Sequence, residues 1–166
     1  MLAENEDLRK DLKINFIGKT DYSVVTDLEK FHLMPYVTKT EYLPQSQTTE
    51  AMQASQILLL ALNNTPNSIG VISGKLFEYM AAGRPILAIG KENGDAARII
   101  HETKAGAICD FEDKKKMKEM ITRLYEQFKQ KNLSASSSTI AAYSRRVLTE
   151  KLAQLLKKLP KEARSH

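Results

Sequence analysis

Apolar and polar positions along this 166-residue chain fall into short blocks of two kinds. Ile14-Asn15-Phe16-Ile17-Gly18 is a short β run that ends in glycine. Between Val24 and Phe31, positions 24, 25, 28 and 31 are apolar, which is helical spacing. Pro35 to Thr40 reads as a short, edge-like strand. Pro44-Gln45-Ser46 turns the chain, and Ser46 is the candidate N-cap of a helix running to Ala54. Ile57 to Leu62 is wholly apolar, the pattern of a central strand covered on both faces. A loop rich in Asn, Pro, Ser and Gly follows from Asn63 to Ser73. Ahead of all these, Leu2 to Leu12 is mostly polar and reads as a helix remnant or a frayed start.

The second half repeats the alternation. A helix over Lys75–Ala82 is followed by a Gly83-Arg84-Pro85 turn and a buried strand, Pro85–Ile89. Asp95 is the expected cap of a helix to Thr103, and Ala105–Cys109 is a strand of small residues. Asp110 and Asp113 start a longer helix with apolar residues at 117, 120, 121, 124, 125 and 128, one stripe of a helical surface. Asn132 to Ser138 is a loop. A last helix is expected from Thr139 to Leu159, ended by Pro160. Strands alternating with helices predict an α/β fold built on a mostly parallel sheet. Ligands of such sheets bind at the carboxyl ends of the strands.

Composition narrows the class. The chain is long enough to bury a real core as a single domain. Its apolar and charged fractions, 42% and 27%, are ordinary for a soluble protein. The longest apolar run is far too short to span a membrane, and the charged N-terminus lacks the apolar core of a signal peptide. A single cysteine, Cys109, excludes an internal disulfide and fits a reducing cytoplasm. His32, His101, His166 and Cys109 make no metal-ligand spacing. The net charge of +5 sits largely in Lys114-Lys115-Lys116 and in the tail from Lys151 to Arg164. Without interleaved aromatics these read as solvated helix faces or as contact with an anionic surface such as a membrane, and no nucleic-acid partner is expected.

The candidate chemistry lies at Gly74-Lys75. Unpaired backbone N–H groups and the helix dipole favour an anion at a helix start, and Lys75 adds a charge there. Gly70-Val71-Ile72-Ser73-Gly74-Lys75-Leu76 is not a P-loop, because the spacing is one residue short and Leu76 stands where the magnesium-binding hydroxyl is required. A plain surface lysine after a glycine is the alternative reading. Glu78, nearly one turn later on much the same face, is either an exposed helix carboxylate or an acceptor for a ribose diol. Asp95 reads as a turn and cap residue, with a ligand contact as the alternative. The last helix has spacing that also suits a coiled-coil dimer. His101 and Cys109 read as structural, and the chain holds no Ser-His-Asp set, general-base pair or redox motif.

The segment Ser73-Gly74-Lys75-Leu76-Phe77-Glu78-Tyr79-Met80-Ala81-Ala82-Gly83-Arg84-Pro85-Ile86-Leu87-Ala88 resembles the donor-binding segment of family 4 glycosyltransferases of the GT-B fold. The likeness extends over about residues 13 to 130, specific around Glu78 and generic elsewhere. It implies a three-layer, Rossmann-like, C-terminal nucleotide-sugar-binding domain, with the N-terminal acceptor domain and the catalytic groups outside this chain. By the same resemblance Glu78 would contact the ribose. Ser73, Gly74, Lys75, Leu76 and Phe77 would lie by the diphosphate, and Tyr42 near the nucleobase. The implied donor is a nucleotide diphosphate-sugar, with no other cofactor or metal and with retention of configuration. Three departures stand out. Gly70 occupies the position of the motif's first glutamate, Glu41 stands where glycine is typical, and the basic phosphate-binding strand expected upstream of Ile14 is missing. The isolated chain is expected to be inactive, because the resemblance puts half of the cleft outside it. The rival readings are a nucleotide-sugar epimerase-like relative and a non-catalytic α/β module that dimerises through its last helix.

Overall fold

The computed structural model describes residues 1–135 and 140–158. Its contacts fall into two compact units, Met1–Ala54 and Ser55–His166. The first comprises α1 (Glu6–Asp11), β1 (Ile14–Ile17), α2 (Tyr22–Lys30), a 3₁₀ turn over Met34–Tyr36, β2 (Val37–Thr40) and α3 (Gln45–Ala54). Asn5 and Asp21 cap the first two helices by accepting from the N–H groups of Leu8 and Ser23 at 2.9 and 2.8 Å. β1 and β2 pair in parallel, Ile14 opposite Val37 and Ile17 opposite Thr40. Ser46 does not cap α3. The helix already begins at Gln45, and the carbonyl of Pro44 accepts from the N–H of Thr48 at 2.9 Å, so Ser46 lies inside the first turn.

The second unit is a three-layer α/β sandwich. Its elements are β3 (Leu58–Ala61), a 3₁₀ turn over Ser68–Gly70, α4 (Gly74–Ala82), β4 (Ile86–Ile89), α5 (Asp95–Thr103), β5 (Gly106–Cys109), α6 (Lys114–Lys129), a 3₁₀ turn over Ile140–Tyr143 and α7 (Arg145–Lys158). The strands are all parallel in the order β3-β4-β5, with Leu58, Ile86 and Gly106 level across the sheet. One face carries Leu60, Ile86, Ala88 and Ile108 against Leu76 and Met80 of α4 and Ile99 and Ile100 of α5. The other carries Leu87 and Cys109 against Met120 and Leu124 of α6. The apolar stripe expected on α6 is the one that packs.

Two expectations change. The run Ile57 to Leu62 was expected to form a central strand covered on both faces, but β3 is an edge of its sheet and alternates buried with exposed residues. Leu59 is level with Leu87 but lies outside the cluster under α6, and it is 51% exposed. A wholly apolar run marks a strand that packs well without saying how far the covering helices extend. The last helix is not continuous. It breaks at Ser144, whose hydroxyl accepts from the N–H of Val147 at 3.4 Å and whose carbonyl accepts from Leu148 at 3.0 Å, so α7 starts afresh there. The expected ends at Thr139 and Leu159, the stop at Pro160, and residues 136–138 of the preceding loop lie outside the described residues.

The turns at the carboxyl end of the sheet are tied together. After β4, Lys91 pairs with Asp110 at 3.4 Å, and Glu92 pairs with Lys116 while accepting from the N–H of Asp110 at 3.2 Å. Asp113 caps α6 as expected, accepting from the N–H of Lys116 at 2.9 Å. The hydrogen bond from Lys116 holds the Glu92 carboxyl below its ordinary range. Both partners are partly exposed, so each such pair contributes little singly, and two pairs on adjacent residues act mainly to fix the turn.

Two predictions arise from this packing. A Cβ on Gly106 would sit 2.0 Å from the carbonyl oxygen of Ile86, backbone on both sides. Gly106→Ala is therefore expected to cost more than about 3 kcal/mol, read from urea unfolding, against less than about 1 kcal/mol for an exposed-site substitution. Because folding lowers the Glu92 pKa, the pair's contribution is present above the unfolded carboxylate pKa and is lost as pH falls through the folded one. Between pH 6 and pH 3 the wild type should lose stability that Lys116→Met does not, and NMR titration should show the Glu92 pKa rising in that variant.

Candidate functional site

α4 starts and stops where the chain's local chemistry dictates. The Ser73 hydroxyl accepts from the N–H of Lys75 at 3.3 Å, and the Ser73 carbonyl accepts from Leu76 at 3.0 Å. At the other end Gly83 takes the left-handed conformation with φ of 70°, which a side chain would oppose, and its N–H bonds the carbonyl of Met80 at 3.1 Å. Leu76 and Met80, four apart, bury one face of the helix in the core.

This burial sorts the expected site residues. Leu76 is wholly buried and Phe77 packs against the core cluster, with its ring 6.3 Å from that of Tyr143. Leu76 can therefore meet a ligand only through its backbone, while the Phe77 ring is partly committed to packing. Lys75 and Glu78 are exposed, and neither side chain makes a hydrogen bond or ion pair among the described residues. A Cβ on Gly74 would meet nothing within 4 Å, so the helix start is open. The approach loop is also open. Ile69, Val71 and Ile72 are 50%, 42% and 40% exposed, and Gly70 has open space around it. Tyr79, next to Glu78, is half-buried, and burial with the nearby carboxylate pushes its phenol up from the ordinary range.

Tyr42 belongs to the first unit. It follows β2 at its carboxyl end, is 89% exposed, and lies beside Gly18, where an added Cβ would come 3.8 Å from its ring. Its expected partner residues on α4 are in the second unit.

Asp95 is not the cap of α5. Gly94 holds that position, and Asp95 in the first turn pairs with Arg98 at 3.3 Å. Arg98 also pairs with Glu102 at 3.2 Å, and Glu102 accepts a hydrogen bond from the Tyr143 hydroxyl. Tyr143 thus links α5 to α4 through Phe77, a tie that periodicity along a single helix does not register. His101 is exposed on α5. Cys109 is fully buried, its thiol is pushed up by burial, and its sulfur lies 3.8 Å from that of Met117, as befits a core residue. Among the described residues no group of three His, Cys, Asp or Glu side chains is placed to hold a metal ion, and no helix is long and apolar enough to cross a membrane.

Three comparisons place the chain in a family. Residues 2–127 match the model of the family described as glycosyl transferases group 1. A probable glycosyltransferase of Pseudomonas aeruginosa, WbjE, is 30% identical over 114 residues, covering 67% of this chain and 28% of that protein. In fold, the chain matches the crystal structure of WaaG, a glycosyltransferase involved in lipopolysaccharide biosynthesis. The TM-score is 0.64 at 18% identity, covering 93% of this chain and 40% of WaaG. The chain therefore spans well under half the length of each of these relatives. The family match and the α/β architecture with its parallel strands lead to one conclusion: the chain belongs to the group 1 glycosyltransferases, and its fold is that of part of the glycosyltransferase WaaG.

Proposed function

We propose that this chain is the donor-binding part of a glycosyltransferase that moves a sugar from a nucleotide diphosphate to an acceptor. The observation that carries the reading is α4 itself. Its N-terminus lies beyond the carboxyl end of β3 and exposes Lys75. The Glu78 side chain, one turn on, is exposed and makes no hydrogen bond or ion pair among the described residues. A diphosphate satisfies the first group and a ribose diol the second.

In this reading the backbone N–H groups and Lys75 stabilise charge that grows on the diphosphate as the glycosidic bond breaks. Each such donor contributes on the order of 3 kcal/mol to the barrier lowering. Glu78 orients the nucleoside by accepting from its hydroxyls. Gly70 offers no carboxylate to the sugar, which leaves recognition there to backbone groups and the exposed Val71 and Ile72. The acceptor site and the catalytic groups come from outside this chain. Retention of configuration, independence from metal and location on the cytoplasmic side belong to the same proposal, supported by resemblance to the family. A role in polysaccharide or glycoconjugate synthesis is supported by the involvement of WaaG in lipopolysaccharide biosynthesis.

One observation favours the dimerising module. Leu148, Leu152, Leu155 and Leu156 of α7 are each more than two-fifths exposed and recur at helical spacing. That reading requires a concentration-dependent dimer with no affinity for nucleotides.

Calorimetric titration with a panel of nucleoside diphosphates and their sugars should show one base class binding. Glu78→Ala should weaken it by about ten-fold, the loss of one charge-assisted hydrogen-bonding group. Failure of every member of the panel to bind would sink the donor reading. Incubating the purified chain with the bound nucleotide sugar and candidate acceptors should give no transfer, and measurable turnover would overturn the assignment of catalysis to groups outside this chain.

A further inference from the structure

We propose that Gly94 is a positioning residue, through which the turn after β4 sets the place of the loop that leads into α4. Gly94 is buried at the start of α5. Its N–H donates to the carbonyl of Lys91 at 3.1 Å, and its own carbonyl accepts from Arg98 at 3.0 Å. A Cβ there would lie 3.0 Å from the carbonyl oxygen of Ile69, 3.1 Å from that of Lys91 and 3.5 Å from the Ile69 Cα. Ile69 is the middle of the Ser68–Gly70 turn, which packs on α5 and ends three residues before the Ser73 cap.

The two sides of this contact differ in freedom. The turn carrying Gly94 is anchored to the start of α6 by the Lys91–Asp110 and Glu92–Lys116 pairs. The loop carrying Ile69 is exposed over Ile69, Val71 and Ile72. The contact with Lys91 lies inside the anchored turn, so the crowding from an added methyl group is relieved mainly by movement of the loop that carries Ile69. The displacement passes along Gly70 to Ser73 to the cap that aims the α4 N-terminus. Hydrogen bonds from Gly70 to Asn67 and from Val71 to Ser68, at 3.2 and 3.4 Å, report on it directly.

The ligand-binding consequence rests on the donor-site reading above, whereas the loop displacement does not. The test uses the whole chain carrying Gly94→Ala. Amide hydrogen exchange at Gly70 and Val71 should quicken at least about five-fold while exchange in β4 is unchanged. Affinity for the nucleoside diphosphate found by titration should fall by about ten-fold, as expected for a misaimed binding group. Adding Lys91→Met and Glu92→Gln frees the turn, so it should retreat and bring exchange at Gly70 and Val71 back towards the wild-type rate. Unchanged exchange in Gly94→Ala, acceleration spread evenly into β4, or no recovery in the triple variant would each overturn the inference. If the wild type binds no nucleotide, the donor reading fails by itself, and the exchange measurements still decide the role of Gly94.

Discussion

Burial of β4 on both faces is the constraint on which the second unit depends. Ile86 and Ala88 point into the layer made by α4 and α5, and Leu87 points into the layer made by α6. A strand dry on both sides must have all its backbone groups paired, because an unpaired buried N–H or C=O costs about as much as a lost hydrogen bond. β3 and β5 supply those partners, and the approach of β5 is close enough that only glycine fits at position 106 opposite Ile86. The helices are then obliged to return across the sheet, which sets each helix start at the carboxyl end of a strand.

That topology creates the candidate site. Three helix starts, those of α4, α5 and α6, follow the three strand ends, and the turns after β4 and β5 interlock through ion pairs. The individual pairs are weak because they are part-exposed. Their value is geometric, since they leave the turn after β4 little freedom and so give the loop before α4 a fixed surface to lie on. Phe77 and Tyr143 do the same for the far side of α4, tying it to the 3₁₀ turn before α7. A helix held on several sides presents its unpaired N–H groups at a fixed place, as binding to a charged ligand requires.

Much of this was legible in the chain. The helix over Gly74–Ala82, its closing glycine, the strand after it and the stripe of α6 all follow from local rules of capping and periodicity, which depend on neighbours within one or two turns. The residue types and spacing of Lys75 and Glu78 were legible for the same reason. The capping assignments at Ser46 and Asp95 missed by one or two positions. A cap depends on which residue leaves the helical conformation, and Pro44 and Gly94 decided that through backbone geometry and not through a side-chain oxygen. The full coverage expected for β3 missed because coverage is a property of neighbouring helices.

By itself, then, the sequence determined the alternation of strands and helices, the polarity of each face, and the residue types available at the start of α4. These are matters of side-chain period and backbone preference over short distances. Only the tertiary structure decided which strand lies at an edge and which side chains of the Ser73–Glu78 segment turn inward. It also decided that Gly106 must be glycine and that a side chain at Gly94 would crowd Ile69, because both rest on approaches between backbone segments far apart in the chain. Lys75 and Glu78 were recognisable as chemistry from their types and spacing. That they are accessible, while Leu76 is buried and Phe77 partly so, was settled by packing, because one face of α4 is committed to covering the sheet.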